Sequence, residues 1–219
     1  QISKWLESTL ALDSMVIPNP VDLERFHAAD RSPTPRRYRA GAIGGLDRQK
    51  GYDMLVDAFA RVAAANPEWD LAIYGRGPEH DKLEALIADR RMQDRIRLAG
   101  FTRDIPSIYA EADLFVHSAR FEGSPNVIQE ALAAGRAVVA TDCPGATREL
   151  LADGRYGVLV PNEDVDALAG ALAAVLPDHA RRYALAQAAP AAVAEHATEA
   201  VAERWLALFR GVLERKGRR

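Results

Sequence analysis

The chain has 219 residues, 48% of them hydrophobic, a formal net charge of −3 and one cysteine, Cys143. That length and apolar content suit one α/β domain with a small appendage, and the near-neutral charge argues against a dedicated nucleic-acid binder. One cysteine excludes an intrachain disulfide and any multi-cysteine metal site; no apolar run reaches the roughly 18 residues of a membrane-spanning helix.

Residues 1–35 read as a lead-in. The chain opens at Gln1 inside a helical pattern (Ile2, Trp5, Leu6), so the expectation is a fragment of a longer protein. Met15-Val16-Ile17-Pro18-Asn19-Pro20 reads as a short strand and turn, and Pro33 and Pro35 mark a linker. From about residue 37 apolar strand-like runs recur at Tyr38–Gly44, Leu71–Gly75, Ile96–Gly100, Leu114–His117, Ala137–Thr141 and Gly157–Val160. Helical patterns fall between them: Leu55, Ala58, Phe59 and Val62 follow i, i+3, i+4, i+7 spacing, and others run near 79–90, 105–111, 125–134, 145–152 and 164–176. The tail, roughly 180–215, is alanine-rich and helical, with Val201, Trp205, Leu208 and Val212 on one face. Alternating strands and helices predict a Rossmann-like doubly wound parallel sheet of about six strands. Ligands of such sheets bind beyond the carboxyl ends of the strands. The predicted organisation is a lead-in over 1–35, a ligand-binding domain over 36–178 and C-terminal helices over 179–219.

Those strand ends hold the candidates. The first runs Ala42-Ile43-Gly44-Gly45-Leu46-Asp47-Arg48-Gln49-Lys50-Gly51. Its glycines let backbone approach a ligand, and Arg48 and Lys50 could neutralise a diphosphate; a plain glycine turn with two exposed cations is equally open. It is neither a Walker A sequence nor a GxGxxG fingerprint. The second ends Ile73-Tyr74-Gly75-Arg76-Gly77-Pro78, without the acidic residue that would hold an NAD ribose, which disfavours a nicotinamide enzyme; Arg76 reads as surface. The third ends Gly100-Phe101-Thr102-Arg103-Asp104, a loop able to receive a nucleobase. Phe101 and Arg103 are candidates there, Phe101 more as a core anchor than a stacking platform, and Asp104 caps the next helix. His117 reads as structural. Thr141–Thr147 is a strand-to-helix turn that could offer N–H groups to a sugar, with a plain turn the simpler reading, and Glu149 is a surface residue.

The most informative segment is Arg120-Phe121-Glu122-Gly123-Ser124-Pro125-Asn126-Val127-Ile128-Gln129-Glu130. Ser124 reads as an N-cap and Pro125 as the first helical residue, with the helix stopping near Gly135. Free N–H groups and the positive dipole end make an anion site over Gly123, Ser124, Pro125, Asn126 and Val127, most simply for a phosphate. Glu122 stands just before it, and Glu130, about a turn and a half inside, leans back toward it. Two carboxylates beside a phosphate make sense if they accept hydrogen bonds from flanking hydroxyls. A nucleotide sugar has that pattern, with ribose on one side of a diphosphate and hexose on the other.

These residues resemble the C-terminal, donor-binding domain of family 4 retaining glycosyltransferases of the GT-B fold (glycosyl transferases group 1). The resemblance runs from Asn19-Pro20-Val21-Asp22 to the C-terminal helix and is strongest in Phe121–Asn126, Glu130–Gly135 and the following Ala137-Val138-Val139-Ala140-Thr141. It implies that Glu130 accepts from the ribose hydroxyls, Glu122 contacts the transferred sugar, backbone from Gly123 to Val127 binds diphosphate and sugar, and Lys50 pairs with the diphosphate. Gly45 stands where the family usually has arginine, so Arg48 would have to substitute, and Ser124 replaces a frequent aromatic. The resemblance further implies a UDP- or GDP-sugar donor and a glycan or lipid-linked acceptor bound by an N-terminal domain outside this chain, with any contact to the inner face of the plasma membrane made through that domain. The sequence itself shows no metal site, so no obligatory metal is expected; its charge speaks against a nucleic-acid partner, and its single cysteine fits a cytoplasmic location. The last helix would pack against that other domain. Three further readings stay open: a nucleotide-sugar epimerase of the same fold, a non-catalytic nucleotide-sugar-binding module, and a plain structural domain.

Overall fold

The computed structural model describes residues 15–27 and 37–217. The helix expected at Ile2, Trp5 and Leu6 and the linker prolines Pro33 and Pro35 lie outside the described residues. A short helix α1 (Leu23–His27) is followed by β1 (Tyr38–Ile43), a 3-10 turn (Arg48–Lys50), α2 (Tyr52–Val62), β2 (Trp69–Tyr74), α3 (His80–Asp89), β3 (Ile96–Gly100), α4 (Ile105–Glu111) and β4 (Leu114–His117). The second half holds α5 (Asn126–Ala133), β5 (Val138–Asp142), α6 (Thr147–Leu150), β6 (Val158–Pro161), α7 (Val165–Val175), α8 (His179–Ala188), a 3-10 stretch (Ala189–His196) and α9 (Thr198–Gly217).

All six strands are parallel, in the order β3-β2-β1-β4-β5-β6. The direction of strand addition reverses between β1 and β4, so the crevice that binds ligands in doubly wound sheets opens at their carboxyl ends. Strands covered on both faces need apolar residues throughout, and all four residues of β4 are buried. One face packs Leu55, Phe59, Leu71, Ile73 and Leu172 under α2 and α7; the other packs Tyr109, Phe115, Ile128, Leu132 and Val193 under α4, α5 and the 3-10 stretch. Among the described residues acidic caps start four α-helices: Asp22, Asp104, Asp164 and Asp178 accept from the N–H groups of Arg25, Ser107, Ala167 and Arg181 at 2.9, 3.4, 2.8 and 2.9 Å.

Two local expectations are corrected. Residues 15–20 form no strand; the lead-in joins the domain through Val21, which bridges to Ala197 and donates its N–H to the His196 carbonyl at 2.8 Å. The expected helix over 145–152 is only Thr147–Leu150, because Ala152 and Asp153 take left-handed φ of 45° and 54° and break it.

Candidate functional site

The loop after β1 and the loop after β4 meet over the crevice. Asp47 caps the 3-10 turn by accepting from the Lys50 N–H at 3.2 Å, which turns the Lys50 side chain inward. Its ammonium forms an ion pair with Glu122, and both side chains are largely buried. The hydroxyl of Ser118 donates to the Lys50 carbonyl at 2.8 Å, and the amide of Gln49 to the Phe121 carbonyl at 3.1 Å. Glu122 is held from below as well: its N–H donates to the Pro144 carbonyl at 3.0 Å, and Ala146 N–H to the Gly123 carbonyl at 3.2 Å. Gly145, with φ of 132°, allows this clasp, since a Cβ there would collide with the Glu122 carbonyl. The Thr141–Thr147 segment is therefore the floor of the Glu122 loop.

Two neighbours act on Glu122, the His117 imidazole first and then Lys50, and together they hold its carboxyl down at about 2 against the opposing effect of burial. His117 Nε2 is 3.8 Å from Glu122 Oε2, outside hydrogen-bond length, so Lys50 is the direct partner. Burial pushes the His117 ring below its ordinary value. The Tyr52 hydroxyl, buried beside this group, has its ionisation suppressed by burial and then by the charges of Asp47 and Glu122.

The helix that follows begins one residue later than the sequence implies. Pro125 occupies the cap position and Asn126 opens α5. Ser124 is not a side-chain cap: its hydroxyl faces the Gln129 amide at 3.4 Å, while its carbonyl accepts the Asn126 N–H at 2.9 Å. Among the described residues no acceptor takes the N–H of Gly123, Ser124 or Val127, and a Cβ on Gly123 would meet open space. An anion site at the start of a helix has this form.

Glu130 sits deeper on α5. It accepts from the Tyr109 hydroxyl at 2.8 Å, and that hydroxyl also reaches the Val127 carbonyl at 2.9 Å. Burial raises the Glu130 carboxyl above its ordinary value, with the Tyr109 bond and the Arg25 charge opposing. Glu130, Asn126, Asp22 and Arg25 line a hollow of about 270 Å³. Asn126 there accepts from the Asn19 amide at 2.9 Å.

A second hollow, of about 290 Å³, lies between the carboxyl ends of β1, β2 and β3 and is lined by Gly44, Gly45, Gly75, Arg76, Phe101 and Ile108. Phe101 is not a core anchor. It is 59% exposed, and the Arg76 guanidinium lies 4.9 Å from its ring centroid. The sharp turn at Gly100, with φ of 75°, throws Phe101 out of the sheet. Arg76 thereby belongs to this hollow rather than to unrelated surface. Arg103 is exposed and outside its lining.

Arg48 departs from the expectation that it backs up Lys50. On a turn of three residues, positions two apart leave in different directions. Arg48 is exposed and borders a separate hollow with Asp53, Glu79 and Lys82. The sequence reading also missed a role for Arg120. Its guanidinium takes both oxygens of Asp53 at 2.8 and 2.6 Å, donates to the Arg48 carbonyl at 2.8 Å and approaches Glu163 at 3.3 Å. It ties the β4 loop to the start of α2. Its only sequence signal is adjacency to the Glu122 segment, because the partner is 67 positions away.

Residues 37–178 match the family model described as Glycosyl transferases group 1. The chain is 34% identical over 185 residues to the lipopolysaccharide core biosynthesis mannosyltransferase LpcC of Rhizobium leguminosarum bv. viciae, covering 79% of this chain and 52% of that protein. It superposes on the C-terminal domain of a glycosyl transferase group 1 family protein (LpcC) from Francisella tularensis with a TM-score of 0.69 at 26% identity, over 79% of this chain and 96% of that one. Against Anabaena Alr3699/HepE in complex with UDP and glucose the TM-score is 0.80 at 24% identity, over 90% of this chain and 57% of that one, a likeness of fold. The chain spans about half or less of the length of the first curated relatives it matches.

Proposed function

The chain belongs to the group 1 glycosyl transferases, and we propose that it is the half that binds a nucleoside-diphosphate sugar for transfer to an acceptor hydroxyl with retention of configuration. The observation that carries the reading is the meeting of Lys50, Glu122 and the open start of α5 at the reversal point of the sheet. The diphosphate lies on the free N–H groups at Gly123, Ser124 and Val127, with Lys50 supplying the cation. Charge that develops on the leaving diphosphate meets a preformed positive potential there. The ribose reaches Glu130, whose carboxylate exchanges the Tyr109 hydroxyl for sugar hydroxyls. The base enters the hollow beside Phe101 and Arg76, where an aromatic face backed by a guanidinium suits stacking. Glu122 orients the sugar.

On this reading the leaving phosphate takes the acceptor proton at the front face, so no side chain is assigned as general base, and no metal is required. Charge neutralisation falls to Lys50 and the helix start rather than to Arg48. The acceptor, a glycan or lipid-linked sugar, binds a second domain, at the cytoplasmic face of a membrane. The Rhizobium relative's name, lipopolysaccharide core biosynthesis mannosyltransferase, supports a glycan acceptor, and the UDP held by the Anabaena structure supports a nucleotide-sugar donor.

The test is calorimetric titration of the chain with UDP and with GDP beside Glu130→Ala. One nucleotide binds, and the substitution weakens it at least tenfold. Binding unaffected by Glu130→Ala, or none to either nucleotide even with a fused acceptor domain, rules the reading out.

A further inference from the structure

His117, the last residue of β4, has no part in the reading above. Its side chain is 3% exposed, and among the described residues neither ring nitrogen has a hydrogen-bond partner. Unpaired polar groups are rarely left inside a protein, because the lost hydration is not replaced. Nε2 points at Glu122 Oε2 from 3.8 Å, and that oxygen is the one bound by Lys50. Two nitrogens thus converge on one carboxylate oxygen, Lys50 from the turn after β1 and His117 from the end of β4.

The backbone on both sides is fixed. The Ser118 hydroxyl holds the Lys50 carbonyl at 2.8 Å, and the Thr141 hydroxyl bonds the Ala119 carbonyl at 2.5 Å and reaches the His117 carbonyl at 3.4 Å. What can move is the Glu122 carboxylate and the long Lys50 side chain. A shift of about 1 Å brings Glu122 to hydrogen-bond length from Nε2.

We propose that Lys50 and His117 are alternate partners of Glu122, and that His117 is a positioning residue that holds this carboxylate whenever Lys50 leaves it. The trigger rests on the donor-binding reading: a diphosphate outbids one carboxylate for the ammonium. Glu122, largely buried and abandoned, then takes the Nε2–H of the neutral imidazole. It stays aimed at the sugar instead of swinging toward the phosphates. The charged groups facing His117 are Lys50 and Glu122, and the Tyr52 hydroxyl and Cys143 thiol feel the same Glu122 charge.

Ring-nitrogen NMR of His117 in the whole chain tests the alternation without any ligand. In Lys50→Met, Glu122 falls to His117, so the Nε2 signal moves to a hydrogen-bonded position. An unmoved His117 in folded Lys50→Met overturns the proposal; Lys50→Gln serves as the second variant should Met unfold the loop. Saturating UDP or inorganic pyrophosphate on the unsubstituted chain should reproduce the shift. A shift in Lys50→Met with none on adding either anion keeps the alternation and sinks the donor-binding reading instead. Where UDP binds, His117→Leu weakens it about tenfold, whereas His117→Gln, which keeps an N–H donor, stays within about twofold. Equal losses in the two variants point to packing alone and overturn the positioning role.

Discussion

Phe101 illustrates how a single backbone angle decides what a side chain can do. After a strand of apolar residues an aromatic reads as core, yet the left-handed Gly100 delivers this ring to solvent beside Arg76. Phe101→Ala should therefore leave the melting temperature unchanged while weakening nucleotide binding by about 1–3 kcal/mol, read by parallel thermal melts and calorimetry. Glu122 gives the opposite kind of residue, one whose charge is built into the fold. Its carboxyl is lowered from an ordinary 4.5 to about 2, so the folded state favours the ionised form. The stability it contributes is complete above about pH 4.5 and is lost as pH falls toward about 2. Urea unfolding across that window should show this part of the pH slope in the unsubstituted chain and its absence in Glu122→Gln.

At the level of elements, the latch between the Glu122 loop and the β5–α6 turn depends on Gly145. Gly145→Ala incurs both a left-handed φ and a collision with the Glu122 carbonyl, whereas Gly154→Ala incurs a φ of 98° with nothing in its way. Gly154→Ala should cost about 1 kcal/mol and Gly145→Ala about 3 kcal/mol or more, with loss of nucleotide binding only in the second; urea midpoints decide it. The six strands of the sheet, the helices between them apart from the shortened one at Thr147–Leu150, and the start of α5 within a residue were legible in the sequence, because period and burial agree along β4, β5 and α2. The strand expected at 15–20 was not, since the run before its two prolines pairs with nothing among the described residues. The open helix start at Gly123–Val127, on which the proposed anion site rests, was legible because glycine, proline and a helix start are local signals. Long-range pairing was not. Nothing in the chain announces that Arg120 grips Asp53, that Tyr109 binds Glu130, or that Arg48 faces away from Lys50. Ser124 misled because a hydroxyl before a proline fits a cap, while the actual chain path turns it to Gln129.

For the whole molecule, the C-terminal helix α9 is the least committed surface. Val201 is buried, but Trp205, Leu206, Phe209, Val212 and Leu213 are exposed. The domain proposal makes this stripe the contact with an acceptor-binding half. Because these side chains add little to the fold of this chain, replacing Leu206, Phe209 and Leu213 with serine should move its melting temperature by no more than about 2 °C, by calorimetric scan. A large drop would show that α9 is held by contacts inside the chain. The crevice itself is assembled from opposite halves of the sheet: the Lys50–Glu122 and Gln49–Phe121 contacts each span 72 positions. A nascent chain that has completed β1 to β3 carries the lysine and lacks its carboxylate. During synthesis the pocket therefore cannot exist before the chain has passed α5, so ligand capture reports that the two halves of the sheet have joined.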